Sequence, residues 1–101
     1  MKKILLLCAA GMSTSILVNK MKEAANKNGI EVQIEAVSLE NFENKINEYD
    51  VFLLGPQVRF KKNELQEKAN ALGKPLDVIN TMDYGLMKGD KVLEFALNLI
   101  K

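Results

Sequence analysis

The stretch Ile4-Leu5-Leu6-Leu7-Cys8-Ala9-Ala10-Gly11-Met12-Ser13-Thr14-Ser15 changes character twice. Its first part is a continuous apolar run, the pattern of a short strand buried on both faces of a parallel sheet, and predicts a strand over 3–8. From Ser13 the period changes: Leu17, Met21, Ala24 and Ala25 recur at helical spacing, with Asn19, Lys20, Lys22 and Glu23 between them. Ser13 or Thr14 is expected to cap this helix, and Asn28-Gly29 to end it. Between strand and helix lie Ala9, Ala10 and Gly11, small enough to let the backbone curl closely. The only cysteine of the chain stands where strand becomes loop. A thiol there faces backbone N–H groups and the positive end of a helix dipole, a setting for a thiolate and for the phosphate it could carry.

Residues 31–36 alternate, with Val32, Ile34 and Ala36 on one side and Glu31, Gln33 and Glu35 on the other, which predicts an edge strand with a wet face. Ser38 is expected to cap a second helix carrying Leu39, Phe42 and Ile46. Asp50 then opens Val51-Phe52-Leu53-Leu54, a second continuous apolar run and hence a second central strand, stopped by Gly55-Pro56-Gln57. A third helix follows with Leu65, Ala69 and Leu72 on one face and Gly73 at its end. Residues 76–79 read as the other edge strand, and Asn80 to Gly89 as irregular or a single turn. Asp90 is expected to cap a last helix with Val92, Leu93, Ala96, Leu97 and Ile100 inward.

Alternating strands and helices specify an α/β domain with a parallel sheet. Placing the two continuous runs centrally and the alternating ones at the edges gives a four-stranded sheet of order 2-1-3-4, with helices on both faces. The connection reverses direction between strands 1 and 3, where the carboxyl ends leave a crevice. The loops there are the cysteine loop and Gly55-Pro56-Gln57-Val58. A single domain over residues 1–101 is expected, with no internal repeat or linker.

Composition removes several functions. The 14 basic and 13 acidic residues are scattered, and the formal net charge is +1. No basic patch argues for nucleic acid and no basic amphipathic helix for a membrane surface. One cysteine rules out an internal disulfide, a Cys-x-x-Cys pair and a cysteine zinc cage. The absence of histidine removes the commonest general base and metal ligand; no metal and no cofactor are expected. Only four apolar residues precede Cys8 after Lys2 and Lys3, against about 7–15 in a secretory signal core. No apolar run approaches the roughly 18 residues of a membrane span, so a cytoplasmic protein without membrane insertion is expected.

Cys8 and the hydroxyls of Ser13, Thr14 and Ser15 match a phosphatase-like phosphate loop after strand 1, with a nucleophilic cysteine at its first position. A tyrosine-phosphatase loop carries an arginine six residues after the cysteine. Thr14 stands there, and no lysine or arginine lies between Lys3 and Lys20. A receiver domain needs an acceptor aspartate at the end of the third strand, whereas Asp50 lies at its beginning. A flavin site wants flanking aromatics, and Tyr84 alone is available. The loop can therefore hold a phosphoryl group but lacks the cation that would speed its loss to water, the profile of a phosphoryl carrier. A low-molecular-weight phosphatase-like hydrolase is the alternative, and a non-covalent phosphate-sensing module a third reading.

The run Cys8-Ala9-Ala10-Gly11-Met12-Ser13-Thr14-Ser15 closely resembles the phosphocysteine loop of enzyme IIB components of the sugar phosphotransferase system, lactose/cellobiose family. Its Cys-x-Ala-Gly-Met-Ser-Thr-Ser form is most similar to the cellobiose/chitobiose branch. Leu54-Gly55-Pro56-Gln57 resembles that family's second loop, and Asp83-Tyr84-Gly85 a third stretch. The resemblance implies a protein-phosphohistidine–sugar phosphotransferase component in which a IIA phosphohistidine protein phosphorylates Cys8. The group then passes to a β-linked disaccharide at the IIC membrane transporter. It further implies that Ala9, Ala10, Gly11, Met12, Ser13, Thr14 and Ser15 bind the phosphate, and that Pro56, Gln57 and Tyr84 shape the neighbouring wall. Arg59, Lys61 and Lys62 read as a solvated helix start, and Met12, Met82 and Met87 as rim candidates for partner contact.

Overall fold

The structure is a computed structural model that describes residues 1–8 and 12–100, without the side chains of Met12 and Ser13. Ala9, Ala10 and Gly11 of the phosphate loop lie outside the described residues. The elements in chain order are β1 (Lys2–Cys8), α1 (Met12–Lys27), β2 (Val32–Ser38), α2 (Phe42–Lys45), β3 (Val51–Leu54), α3 (Lys62–Ala71), β4 (Leu76–Val78), α4 (Thr81–Gly85) and α5 (Gly89–Ile100). Short 3-10 turns, Leu39–Asn41 and Pro56–Lys61, precede α2 and α3. All neighbouring strands pair in parallel, in the order β2-β1-β3-β4. The two continuous apolar runs are central and the shorter or alternating strands are the edges, as the sequence pattern predicts.

Alternate residues of a strand point to opposite faces, so β1 feeds two cores. Ile4 and Leu6 pack with Leu17, Met21 and Ala25 of α1 and with Val92, Leu93 and Ala96 of α5. Leu5 and Leu7 pack with Phe42 of α2 and with Leu65 and Ala69 of α3. Phe42 meets Phe52 of β3 edge to face, with ring centroids 5.1 Å apart. Residues 4–7 are all 0% exposed, and burying each such side chain contributes roughly 1.5–3 kcal/mol. At the start of β3 the Lys3 amide donates to Asp50 Oδ2 (2.9 Å) and the Asp50 amide to the Lys3 carbonyl (2.8 Å), which sets the register of β3 on β1.

Several local expectations are corrected. Helix α1 begins at Met12, so Ser13 and Thr14 lie inside its first turn and neither caps it. Its end is as expected, with Gly29 at φ 66°. The second helix shrinks to the 3-10 turn and the single turn of α2. Ser38 makes no capping bond; its hydroxyl donates to Glu40 and accepts from Asn41, a local alternative to helix. Leu72 lies past the end of α3, off its buried face, and is 46% exposed. Asp90 falls within α5, which begins one residue earlier at Gly89. The turn α4 is capped by Asn80, whose Oδ1 accepts from the amides of Met82 (2.9 Å) and Asp83 (3.1 Å).

The polar side of β2 is not simply wet. Tyr49, 2% exposed, covers it: its hydroxyl donates to Glu35 Oε2 at 2.6 Å and accepts from Gln33 Nε2 at 3.4 Å. Burial, reinforced by the Glu35 carboxylate, pushes the Tyr49 phenol up to about 12.

Two predictions follow from this packing. A Cβ on Gly89 would lie 2.4 Å from the Lys20 carbonyl carbon, a backbone atom of α1 that cannot swing away, whereas one on Gly85 would meet nothing within 4 Å. Gly89→Ala is expected to lower stability in urea denaturation by roughly 1–3 kcal/mol, with Gly85→Ala near neutral. For Tyr49 the phenol is harder to ionise folded than unfolded, so its contribution is complete below the ordinary value of about 10 and is lost as pH rises toward 12. Stability measured from pH 9 to 12 should therefore fall, and Tyr49→Phe should flatten that fall.

Candidate functional site

The site forms where β1 and β3 end side by side. Cys8 is the last residue of β1 and is 4% exposed. Four residues later α1 starts, sixteen residues long and with no acidic side chain in its first turn. Its positive end is therefore not neutralised by a carboxylate of its own first turn. Thr14, in that turn, is 0% exposed, and its Oγ1 lies 3.0 Å from Cys8 Sγ. Apart from the buried tyrosines, Thr14 is the one buried polar residue among those described. The two atoms are within hydrogen-bonding distance, and either the hydroxyl or the thiol can donate.

The second loop comes in beside it. The Gly55 amide donates to the Leu7 carbonyl at 2.9 Å, which continues the β1–β3 ladder one residue beyond β3. A Cβ on Gly55 would lie 3.7 Å from Cys8 Cβ and 3.0 Å from Gln57 Oε1. The Gln57 carboxamide thus folds back over Gly55. Pro56 starts the 3-10 turn with its fixed φ, and Val58, 2% exposed, anchors that turn in the core. Gly55 ends β3 as its sequence position suggests, and a Cβ on it would make only ordinary contact with Cys8, its tight neighbour being the end of the flexible Gln57 side chain.

Other named residues lie as follows. Tyr84 is 6% exposed and belongs to the α1/α5 core. Ser15 is exposed. Arg59 is exposed, while Lys61 pairs with Glu64 and Lys62 with Asp77, each at 3.2 Å. Met82 is 71% exposed, and Met87 is partly buried against the α1/α5 core. Among the described residues no group of three His, Cys, Asp or Glu side chains could hold a metal ion, and no helix is long and apolar enough to cross a membrane.

Comparison with known proteins agrees with this architecture. Residues 3–95 match the family model described as PTS system, lactose/cellobiose specific IIB subunit. The chain is 51% identical to the galactose-specific EIIB component of Lactococcus lactis subsp. cremoris, over 98% of this chain and 96% of that protein. It is equally 51% identical, with the same coverage, to the cellobiose-specific EIIB component of Lactococcus lactis subsp. lactis. Among solved structures, the lactose-specific IIB domain from Streptococcus pneumoniae superposes with a TM-score of 0.89 at 29% identity, covering 99% of this chain and 98% of that one. The chain belongs to the lactose/cellobiose-specific IIB family of the sugar phosphotransferase system.

Proposed function

We propose that the chain is a cytoplasmic phosphoryl carrier that forms a phosphocysteine at Cys8 during phosphoenolpyruvate-dependent sugar uptake. The observation that carries this reading is the buried Sγ–Oγ1 contact of 3.0 Å between Cys8 and Thr14, at the start of an acid-free helix turn. The donor is the phosphohistidine of a IIA protein. The thiolate attacks phosphorus, the S–P bond forms, and the N–P electron pair stays on the histidine ring. At the IIC transporter an acceptor hydroxyl of the sugar attacks phosphorus, its proton leaves to water, and the S–P pair returns to sulfur. Amides of residues 10–14, and the hydroxyls of Ser13 and Ser15, hold the phosphoryl oxygens, with Pro56, Gln57 and Tyr84 as neighbouring structure. The sugar class, a β-linked disaccharide of cellobiose or chitobiose type, rests on the form of the Cys8 loop, since relatives named for galactose and for cellobiose are equally similar.

Hydrolysis is disfavoured by the same geometry. The position six residues after the cysteine holds Thr14, buried against the sulfur, where a phosphatase needs an arginine clamp.

Incubation with phosphoenolpyruvate, the general phosphotransferase proteins and IIA should add one phosphoryl group by intact-protein mass spectrometry, and Cys8→Ser should add none. Label persisting in that variant would overturn the assignment, and rapid turnover of p-nitrophenyl phosphate would favour a hydrolase. Gly55→Ala should leave the melting temperature nearly unchanged, because the clashing Gln57 carboxamide is the end of a flexible side chain. It should slow phosphoryl transfer in stopped-flow mixing with IIA by displacing that carboxamide, and Gln57→Ala should slow it alike.

A further inference from the structure

We infer that the Thr14 hydroxyl serves the leaving group: it donates to the Cys8 thiolate and thereby sets how readily phosphocysteine gives up its phosphoryl group. The inference rests on the reading of Cys8 as the phosphoacceptor and adds a role that phosphate binding does not contain. Thr14 projects from the first turn of α1 into a closed position, 0% exposed, where valine would match its shape. What threonine adds over valine is an oxygen, and that oxygen is 3.0 Å from the sulfur. Full burial confines the side chain, and so keeps the oxygen beside the sulfur.

The direction of the effect follows from the charge on sulfur. A thiolate accepts a strong, charge-assisted hydrogen bond, whereas the sulfur of a phosphothioester is neutral and accepts only weakly. The hydroxyl therefore stabilises free Cys8 more than phosphorylated Cys8. When a protonated phosphoimidazole donates, the N–P electron pair stays on the ring nitrogen and leaves neutral imidazole, while the thiolate pair becomes the S–P bond. In the reverse step the S–P pair returns to sulfur as thiolate, which regains the full hydrogen bond from Thr14. A donor that favours thiolate raises the transfer potential of phosphocysteine and lowers the barrier to S–P cleavage. It acts on the sulfur, unlike the arginine clamp of phosphatases, which acts on the phosphoryl oxygens.

The test is the partition of phosphoryl between the IIA protein and this chain at equilibrium, compared for the unaltered protein, Thr14→Val and Thr14→Ser. At pH 9, above the ordinary thiol value of about 8.5, Thr14→Val is expected to shift the partition toward phosphocysteine by about tenfold, and to slow return of the group to IIA. Alkylation of Cys8 by iodoacetamide at pH 7 should slow in the same variant. Thr14→Ser should restore both, since it keeps the oxygen. Loss of packing alone would alter stability without moving the partition in this sense. An unchanged partition and alkylation rate in Thr14→Val, or equal changes in valine and serine variants, would overturn the inference. If no phosphoryl group reaches Cys8 in the unaltered protein, the carrier reading fails and the leaving-group role with it, while the alkylation series still decides whether Thr14 holds the thiolate.

Discussion

The sheet is hung on β1, a strand buried on both faces and paired along both edges. Ile4 to Leu7 touch no solvent, and β2 and β3 flank them in parallel register. A slip of one residue would exchange Ile4 and Leu6 with Leu5 and Leu7 between the α1/α5 core and the α2/α3 core, and so disturb the packing of both. The reciprocal bonds between Lys3 and Asp50 lock the register of its inner neighbour at the amino end. The consequence appears at the other end, where Cys8 is delivered to a fixed point beside the second loop. The transfer chemistry proposed for Cys8, which tolerates little misplacement, thereby rests on the most constrained strand of the sheet.

Three features meet at that point. The first turn of α1 carries no acidic side chain, the buried Thr14 hydroxyl lies 3.0 Å from the sulfur, and the Gly55 amide continues the β1–β3 ladder beside Cys8. The position of α1 is itself secured from behind, since Gly89 brings α5 into contact with the Lys20 backbone. Cys8, the Thr14 hydroxyl and the start of α1 are thus held in place by one central strand and by the close approach of α5 to α1 at Gly89.

The fold was largely legible because apolar patterning and strand order are coupled. Two continuous runs can only be interior, and Val32, Ile34 and Ala36 can only line one covered face. Helix termini were less legible. Ser13, Ser38 and Asp90 are all of capping type, yet α1 and α5 begin earlier than a cap there allows, and Ser38 bonds its own loop neighbours instead. Residue type shows where a cap is possible; the backbone path between packed elements decides where the helix starts. Tyr49 was invisible for a related reason, since its partners Gln33 and Glu35 lie well before it in the chain.

The sequence by itself determined the sheet order, the family and the place of Cys8 at the end of a central strand, because each depends on residue type and period within short windows. Only the tertiary structure decided that Thr14 faces the sulfur rather than capping α1, that the Gln57 carboxamide folds over Gly55, and that Gly89 must be small. Those are facts of distance between segments, and a distance across the sheet depends on how both cores fill, which no local pattern encodes.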